Sequence, residues 1–261
     1  MLHFVSGGTD LPVLLVIVLI LLLFGGKILP RLGYWLGFQA RKPYRQAKWM
    51  WTSFSGTEEE SLKAEEEYGR ECAQEFIKQF QGAVTSKDQE LVSTIGARLG
   101  GSIADSQREF RFALVSSPMA NAFALPGGFI FITNSLLELC DRNIDEIAFF
   151  LSHEMGHVVH GHAKEQLTAS TLLNAVTARL SGVGGMLREV LNKGYSRSLE
   201  LEADREAANI VGKAGFDSSA SVRALERLTK VSPDNSGLRE YFSSHPPLTE
   251  RIEALKQEIN R

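Results

Sequence analysis

Apolar and polar positions divide the chain into stretches of different kinds. The run "LPVLLVIVLILLLF", residues 11–24, holds no charge and predicts a membrane-spanning helix over residues 11–29, short for a bilayer. Leu32, Tyr34, Trp35, Leu36 and Phe38 then mix with basic residues, as in an amphipathic helix lying in a headgroup layer, until Pro43 stops or bends it. The stretch "SGTEEESLKAEEEYGRECAQEFIKQFQG" turns acidic and helical. It sets a domain boundary near residue 55, giving an anchor over 1–55 and a folded domain over 56–261, and its charged face reads as solvated helix surface.

"SKDQELVSTIGARLGGSIADS" repeats apolar residues at helical intervals, with Ser86 and Gln89 at capping-box spacing. "FRFALVSS" (110–117) and "NAFALPGGFIFIT" (121–133) alternate or cluster β-branched and aromatic residues as strands do, and "PGG" at 126–128 reads as a hairpin turn. In "NIDEIAFFLSHEMGHVVHGHAKE", Asn143 and Glu146 open a helix whose apolar contacts are Ile147, Phe150, Leu151, Met155 and Val158. "SGVGGMLREVLNKG" (181–194) reads as a connection with a short helix inside it, a mobile loop or flap being the alternative, and "KVSPDNSG" (230–237) as a turn-rich loop before the last helix. This order predicts an α+β domain, mainly helical with a small β-sheet.

Composition narrows the function classes. With 44% hydrophobic residues, 23% charged and a formal net charge of −3, the 261-residue chain lacks the basic balance of a nucleic-acid binder. Cys72 and Cys140, far apart, supply neither a disulfide framework nor metal spacing. Charge matters more around the apolar run. Residues 1–10 contain Asp10 and no Lys or Arg, whereas Lys27, Arg31, Arg41, Lys42, Arg45 and Lys48 follow. That asymmetry argues against a cleaved signal peptide. It predicts a single-pass anchor with the remainder on the cytoplasmic side, an exported remainder being the alternative. "FGGKILP" with the basic stretch after it resembles the N-terminus of TatA-type twin-arginine translocase subunits, so a translocase-related component is one reading.

The chemistry concentrates in "HEMGHVVHGH", residues 153–162. On a helix His153 and His157 project from one face a turn apart, where two imidazoles can share one tetrahedral zinc. Glu154, about 100° round the helix, can act as general base on a water at the metal without ligating it. His160 shares the face about 10 Å along the axis, and His162 points elsewhere; both read as capping, packing or supporting residues. His160 and Ala163 stand where an extended H-E-x-x-H-x-x-G-x-x-H motif needs glycine and histidine, so the third ligand lies farther on. "SRSLELEADREAANIVG" (196–212) offers two acid pairs at helical spacing, Glu200 with Asp204 and Glu202 with Glu206. Ala203, Ala207 and Ala208 allow another helix to approach closely. Spacing leaves both Glu200 and Glu202 open as the ligand.

"HEMGH", "ELEAD", "NAFALPGGFIFIT" and "SHPPLTERI" together resemble the zinc metallopeptidase family of the CAAX-prenyl protease, HtpX and BepA, over most of residues 85–260. The resemblance implies a zincin-like fold with one zinc per chain held by His153, His157 and Glu200, and Glu154 as base. It makes Asp204 a residue that orients a ligand histidine or assists proton transfer, and puts Glu202 and Glu206 on a solvated face. It gives Asn121, Ala122, Phe123 and Ala124 the role of an edge strand on which a polypeptide substrate pairs. It brings His245 near the zinc, at the oxyanion or in the open metal position at rest, with Arg251 bracing the region. The implied function is a membrane-anchored zinc endopeptidase acting on misfolded or membrane-associated proteins. The CAAX enzymes and HtpX carry several membrane spans and this sequence one candidate, so prenylated substrates are not implied. The rival is a non-catalytic membrane scaffold or chaperone-like binding protein, which has no need of Glu154.

Overall fold

The computed structural model describes residues 48–49, 51–52, 55–80, 82–103, 107–162, 194–230, 238, 241, 244–245 and 248–259. All of them belong to one compact unit. The predicted span at 11–29, the amphipathic stretch after it and nearly all of 181–194 and 230–237 lie outside the described residues. No helix among the described residues is long and apolar enough to cross a membrane.

Helix α1 (Glu58–Ile77) begins where the sequence turns acidic. The Thr57 hydroxyl accepts the Glu60 N–H while the Glu60 carboxylate accepts the Thr57 N–H, a complete capping box. The expected solvated face is only partly solvated. Glu65 is buried, accepts the Gly127 N–H at 3.0 Å and pairs with Arg108 at 2.9 Å. The hairpin turn needed a partner for a buried backbone donor, and α1 supplies it. Trp49 stacks on Tyr68, and Phe76 meets Phe123 and Phe131, forming a small apolar core between α1 and the sheet.

Helix α2 (Ser86–Gly101) is capped one residue earlier than the Ser86–Gln89 spacing suggests. Thr85, in extended backbone, accepts the Asp88 N–H on its hydroxyl. Gln89 instead turns its side-chain oxygen to the Leu114 N–H in the sheet. Strands β1 (Arg111–Val115), β2 (Ala122–Leu125) and β3 (Phe129–Thr133) follow. β2 and β3 make the expected antiparallel hairpin, with Phe123 opposite Phe131. β1 runs parallel to β3, giving the order β1-β3-β2. β2 is therefore an edge strand among the described residues.

A short helix α3 (Asn134–Leu139) leads to Asp141 and Arg142, both at positive φ, and then to α4 (Ile144–Val159). Asn143 caps α4 by accepting the Asp145 and Glu146 N–H groups. The Glu146 side chain does not return to the cap; it is buried against Arg227, 2.7 Å away. The predicted apolar contacts Ile147, Phe150, Leu151, Met155 and Val158 are all buried. Helices α5 (Arg197–Lys213), α6 (Ala220–Thr229) and α7 (Leu248–Ile259) complete a mainly helical α+β fold. α4 and α5 approach closely because both are bare at the contact. A Cβ on Gly156 would stand 2.8 Å from the Ala203 carbonyl oxygen. That contact fixes the register that brings the acids of α5 to the histidines of α4.

Candidate metal centre and active site

α4 presents His153 and His157 from one face, as the spacing predicts, with their Nε2 atoms 3.1 Å apart. α5 brings Glu200 against them, Oε1 at 3.3 Å from His157 Nε2 and Oε2 at 3.5 Å from His153 Nε2. His245, just before α7, places Nδ1 at 3.0 Å from Glu200 Oε1 and 3.4 Å from His153 Nε2. One ligand atom from each of these four buried residues lies within 4.8 Å of all the others. Atoms bonded tetrahedrally to one zinc at about 2.0–2.1 Å stand about 3.3–3.4 Å apart, so the spacings match such a set. Glu200 Oε2 is buried and accepts no well-directed hydrogen bond, although Arg251 Nη1 stands 2.8 Å away. Imidazole lone pairs and a carboxylate converging in a buried site fit a cation. The fold also separates the two glutamates that spacing left open. Glu200 is fully buried in this cluster, while Glu202 is half-exposed beside His160 and His162.

A layer of charge supports the cluster. Asp204 Oδ1 lies 2.9 Å from His153 Nδ1, and Arg251 grips both Asp204 oxygens at 2.7 Å. Burial works against the ionised Asp204, but Arg251 and then His153 outweigh it and hold the carboxyl at about 2. Burial and Arg251 disfavour the charged His153, yet Asp204 and Glu200 prevail and raise the imidazole to about 9. For Glu200 burial is overcome by His245 and Arg251, which keep it far below the carboxylate range. Burial dominates at the other two groups, driving His157 well below its ordinary value and Glu154 above its own. Glu154 Oε1 faces His245 Nε2 at 3.6 Å.

The cleft beside this cluster is lined by Ala122, Phe123, Ala124, Glu154, Tyr195, Ser244 and His245. Three of the four edge-strand residues named from the sequence therefore face it. Asn121 is buried at the start of the strand, where its Oδ1 accepts the Ala122 N–H and its carbonyl accepts the Thr133 N–H. Sequence reasoning missed Tyr195. Its ring stacks on His157 with centroids 3.8 Å apart at 16°, and its N–H donates to the Ser244 carbonyl at 3.2 Å. The only signal for it was an aromatic residue just ahead of the acid-rich helix. His160 is the C-cap residue of α4. His162 does not point away; it lies 2.9 Å behind His157.

The sequence profile of peptidase family M48 matches residues 86–259, more than half of the chain. The chain belongs to peptidase family M48. Peptidases of this family are zinc-dependent, and the chain is accordingly a zinc metallopeptidase whose donor set fits the metal. It is similar to the metalloprotease YcaL of Escherichia coli, 27% identical over 187 residues that cover 67% of this chain and 71% of that protein. It also resembles the mitochondrial metalloendopeptidase OMA1 of Saccharomyces cerevisiae, 33% identical over 157 residues, 55% of this chain and 45% of that one. A third relative is the beta-barrel assembly-enhancing protease of Yersinia pestis, 26% identical over 190 residues, 66% of this chain and 39% of that one. The matched region thus covers less than half of the last two proteins.

Proposed function

We propose that this M48 peptidase is a membrane-anchored zinc endopeptidase that cuts unfolded or membrane-associated polypeptides internally. The observation that carries the reading is the convergence of His153, His157, Glu200 and His245 beside a buried Glu154. His153, His157 and Glu200 are the ligands in this account. Zinc, when bound, lowers the pKa of water and polarises the scissile carbonyl. Glu154 takes the proton of the attacking water and passes it to the leaving amine nitrogen. Its burial raises its proton affinity, which suits a group that must both accept and return a proton. His245, in the same cluster and facing Glu154, would stand beside the metal, where its N–H would stabilise the negative charge developing on the carbonyl oxygen of a bound substrate. Asp204 holds His153 by its Nδ1 proton.

β2 gives the substrate its place. Its outer edge carries no strand among the described residues, and Ala122, Phe123 and Ala124 lead to Glu154. An extended polypeptide adds there by main-chain hydrogen bonds, which favours unfolded segments over folded ones. Residues 1–55 form the anchor, with the span over residues 11–29, and the basic residues after it favour a cytoplasmic peptidase domain. Trp49, past the basic stretch, stacks on Tyr68 of α1 within the same compact unit as the peptidase domain.

The test uses the full chain purified in detergent. With zinc it cleaves unfolded casein, a chelator stops the cleavage, and added zinc restores it. Zinc-loaded chain that binds casein without cleaving it would favour a scaffold and refute the peptidase reading. Membranes washed with alkaline carbonate retain the chain if the anchor is real, and a C-terminal reporter active only in the cytoplasm reports the side.

A further inference from the structure

The acids that the family resemblance puts on the solvated face of α5 do not all face solvent. His157 turns Nε2 into the ligand cluster, so as a neutral ligand it carries its proton on Nδ1. That Nδ1 lies 2.9 Å from His162 Nδ1. One proton joins the two nitrogens, so His162 accepts there and holds its own proton on Nε2. His162 Nε2 in turn lies 3.3 Å from Glu202 Oε2, an acceptor. Each proton position in the row follows from the one before it.

Local backbone explains why the row escapes a helical reading. Five residues along a continuing helix would carry His162 to another side of α4. The helix ends at Val159, and Gly161 at φ +70° reverses the chain, folding the His162 ring back behind His157. His162 is 2% exposed and Glu202 half-exposed, so the row runs from the metal centre to the surface. The other Glu202 oxygen is held by His160 Nδ1 at 3.3 Å. Glu206, one turn on, lies outside the row: it accepts from Asn209 Nδ2 at 3.5 Å and stands 3.8 Å from His160 Nε2.

We propose that His162 and Glu202 are positioning residues for the metal centre, fixing the tautomer and tilt of His157 through the row Glu202–His162–His157. The proposal rests on the reading of His157 as a zinc ligand. Each ligand histidine then has its own carboxylate, Asp204 directly on His153 and Glu202 through an intervening imidazole on His157. Such outer partners raise the basicity of a ligand histidine, and removing them lowers metal affinity 10- to 100-fold.

The test measures zinc affinity of the purified full chain by competition with a chromophoric chelator. The visible spectrum of the cobalt-substituted protein reports the ligand field. His162→Phe keeps the ring and removes the acceptor, and zinc affinity falls about 10- to 100-fold with a shifted cobalt spectrum. His162→Asn, whose Oδ1 stands where Nδ1 stood, recovers most of the affinity. Glu202→Gln, at a half-exposed position that leaves folding intact, weakens zinc by about 10-fold, the low end of that range, and Glu206→Gln leaves it unchanged. Unchanged affinity and spectrum in both His162→Phe and Glu202→Gln overturn the proposal; should His162→Phe fail to fold, Glu202→Gln decides alone. His157→Ala measured alongside separates the two levels. Wild-type zinc affinity in His157→Ala refutes the ligand assignment itself. Lost affinity there, with both outer variants unchanged, refutes only the row.

Discussion

Arg251 and Asp204 form a two-point ion pair in the interior, Nε to Oδ2 and Nη2 to Oδ1, with each side chain 1% exposed. The same guanidinium lies against Glu200, so one residue of α7 compensates two buried acids of α5. Arg251→Met would leave both acids uncompensated, and the metal-free chain should lose about 3–5 kcal/mol of unfolding free energy in urea. Arg251→Lys keeps the charge but cannot fork, so its loss is smaller. Zinc should recover part of the deficit in both variants, because a bound cation offsets the same carboxylates.

Tyr195 should matter for its ring and not for its hydroxyl. Tyr195→Phe preserves the stack on His157 and keeps kcat/KM near wild type. Tyr195→Ala removes a stack worth about 0.5–1.5 kcal/mol along with one wall of the cleft, and kcat/KM should fall roughly tenfold. Steady-state kinetics on a quenched fluorogenic peptide separate the two.

The difference between what was legible in the sequence and what was not follows the range of each interaction. His153, Glu154 and His157 were legible because H-E-x-x-H encodes its geometry within one helical turn. The β2–β3 hairpin was legible because alternation and "PGG" are local signals. Glu200 was legible only as one of two acids until a family resemblance chose it. What separates it from Glu202 in the fold is the register of α5 on α4, set by Gly156 against Ala203. β1 was legible as a strand, but its parallel pairing with β3 joins residues brought together only by the tertiary fold. Glu65 looked like a surface acid because nothing near it in sequence announces the Gly127 N–H it accepts. His162 was set aside because the chain reversal at Gly161 cannot be seen in helical spacing.

Gly156 offers a direct probe of that register. Gly156→Ala puts a methyl group into the Ala203 backbone, and overpacking of this kind costs about 1–3 kcal/mol. Tm in the presence of chelator should fall. Zinc affinity should fall with it, since Glu200 moves away from His153 and His157.

Acid sensitivity should appear at the α2–α4 junction. Arg142 donates to both oxygens of Asp88, at 2.8 and 3.1 Å, and these hydrogen bonds outweigh burial to hold the Asp88 carboxyl below its ordinary 3.8. A folded-state value below the unfolded one means that the stabilisation is complete above 3.8 and is lost as pH falls through the lower folded value. Arg142→Ala should therefore melt below wild type at neutral pH, and the two curves should converge in acid below that range. A Tm difference that does not change with pH would contradict the assignment.

The central claim is that Glu154 is the base of a zinc peptidase and not a ligand, and Glu154→Gln tests it most directly. The measurement pairs zinc content of the purified full chain with its rate of cleavage of unfolded casein. The account predicts one zinc per chain, as in wild type, and a rate lower by about 100- to 10,000-fold. A zinc-loaded Glu154→Gln variant that cleaves casein at the wild-type rate would contradict it.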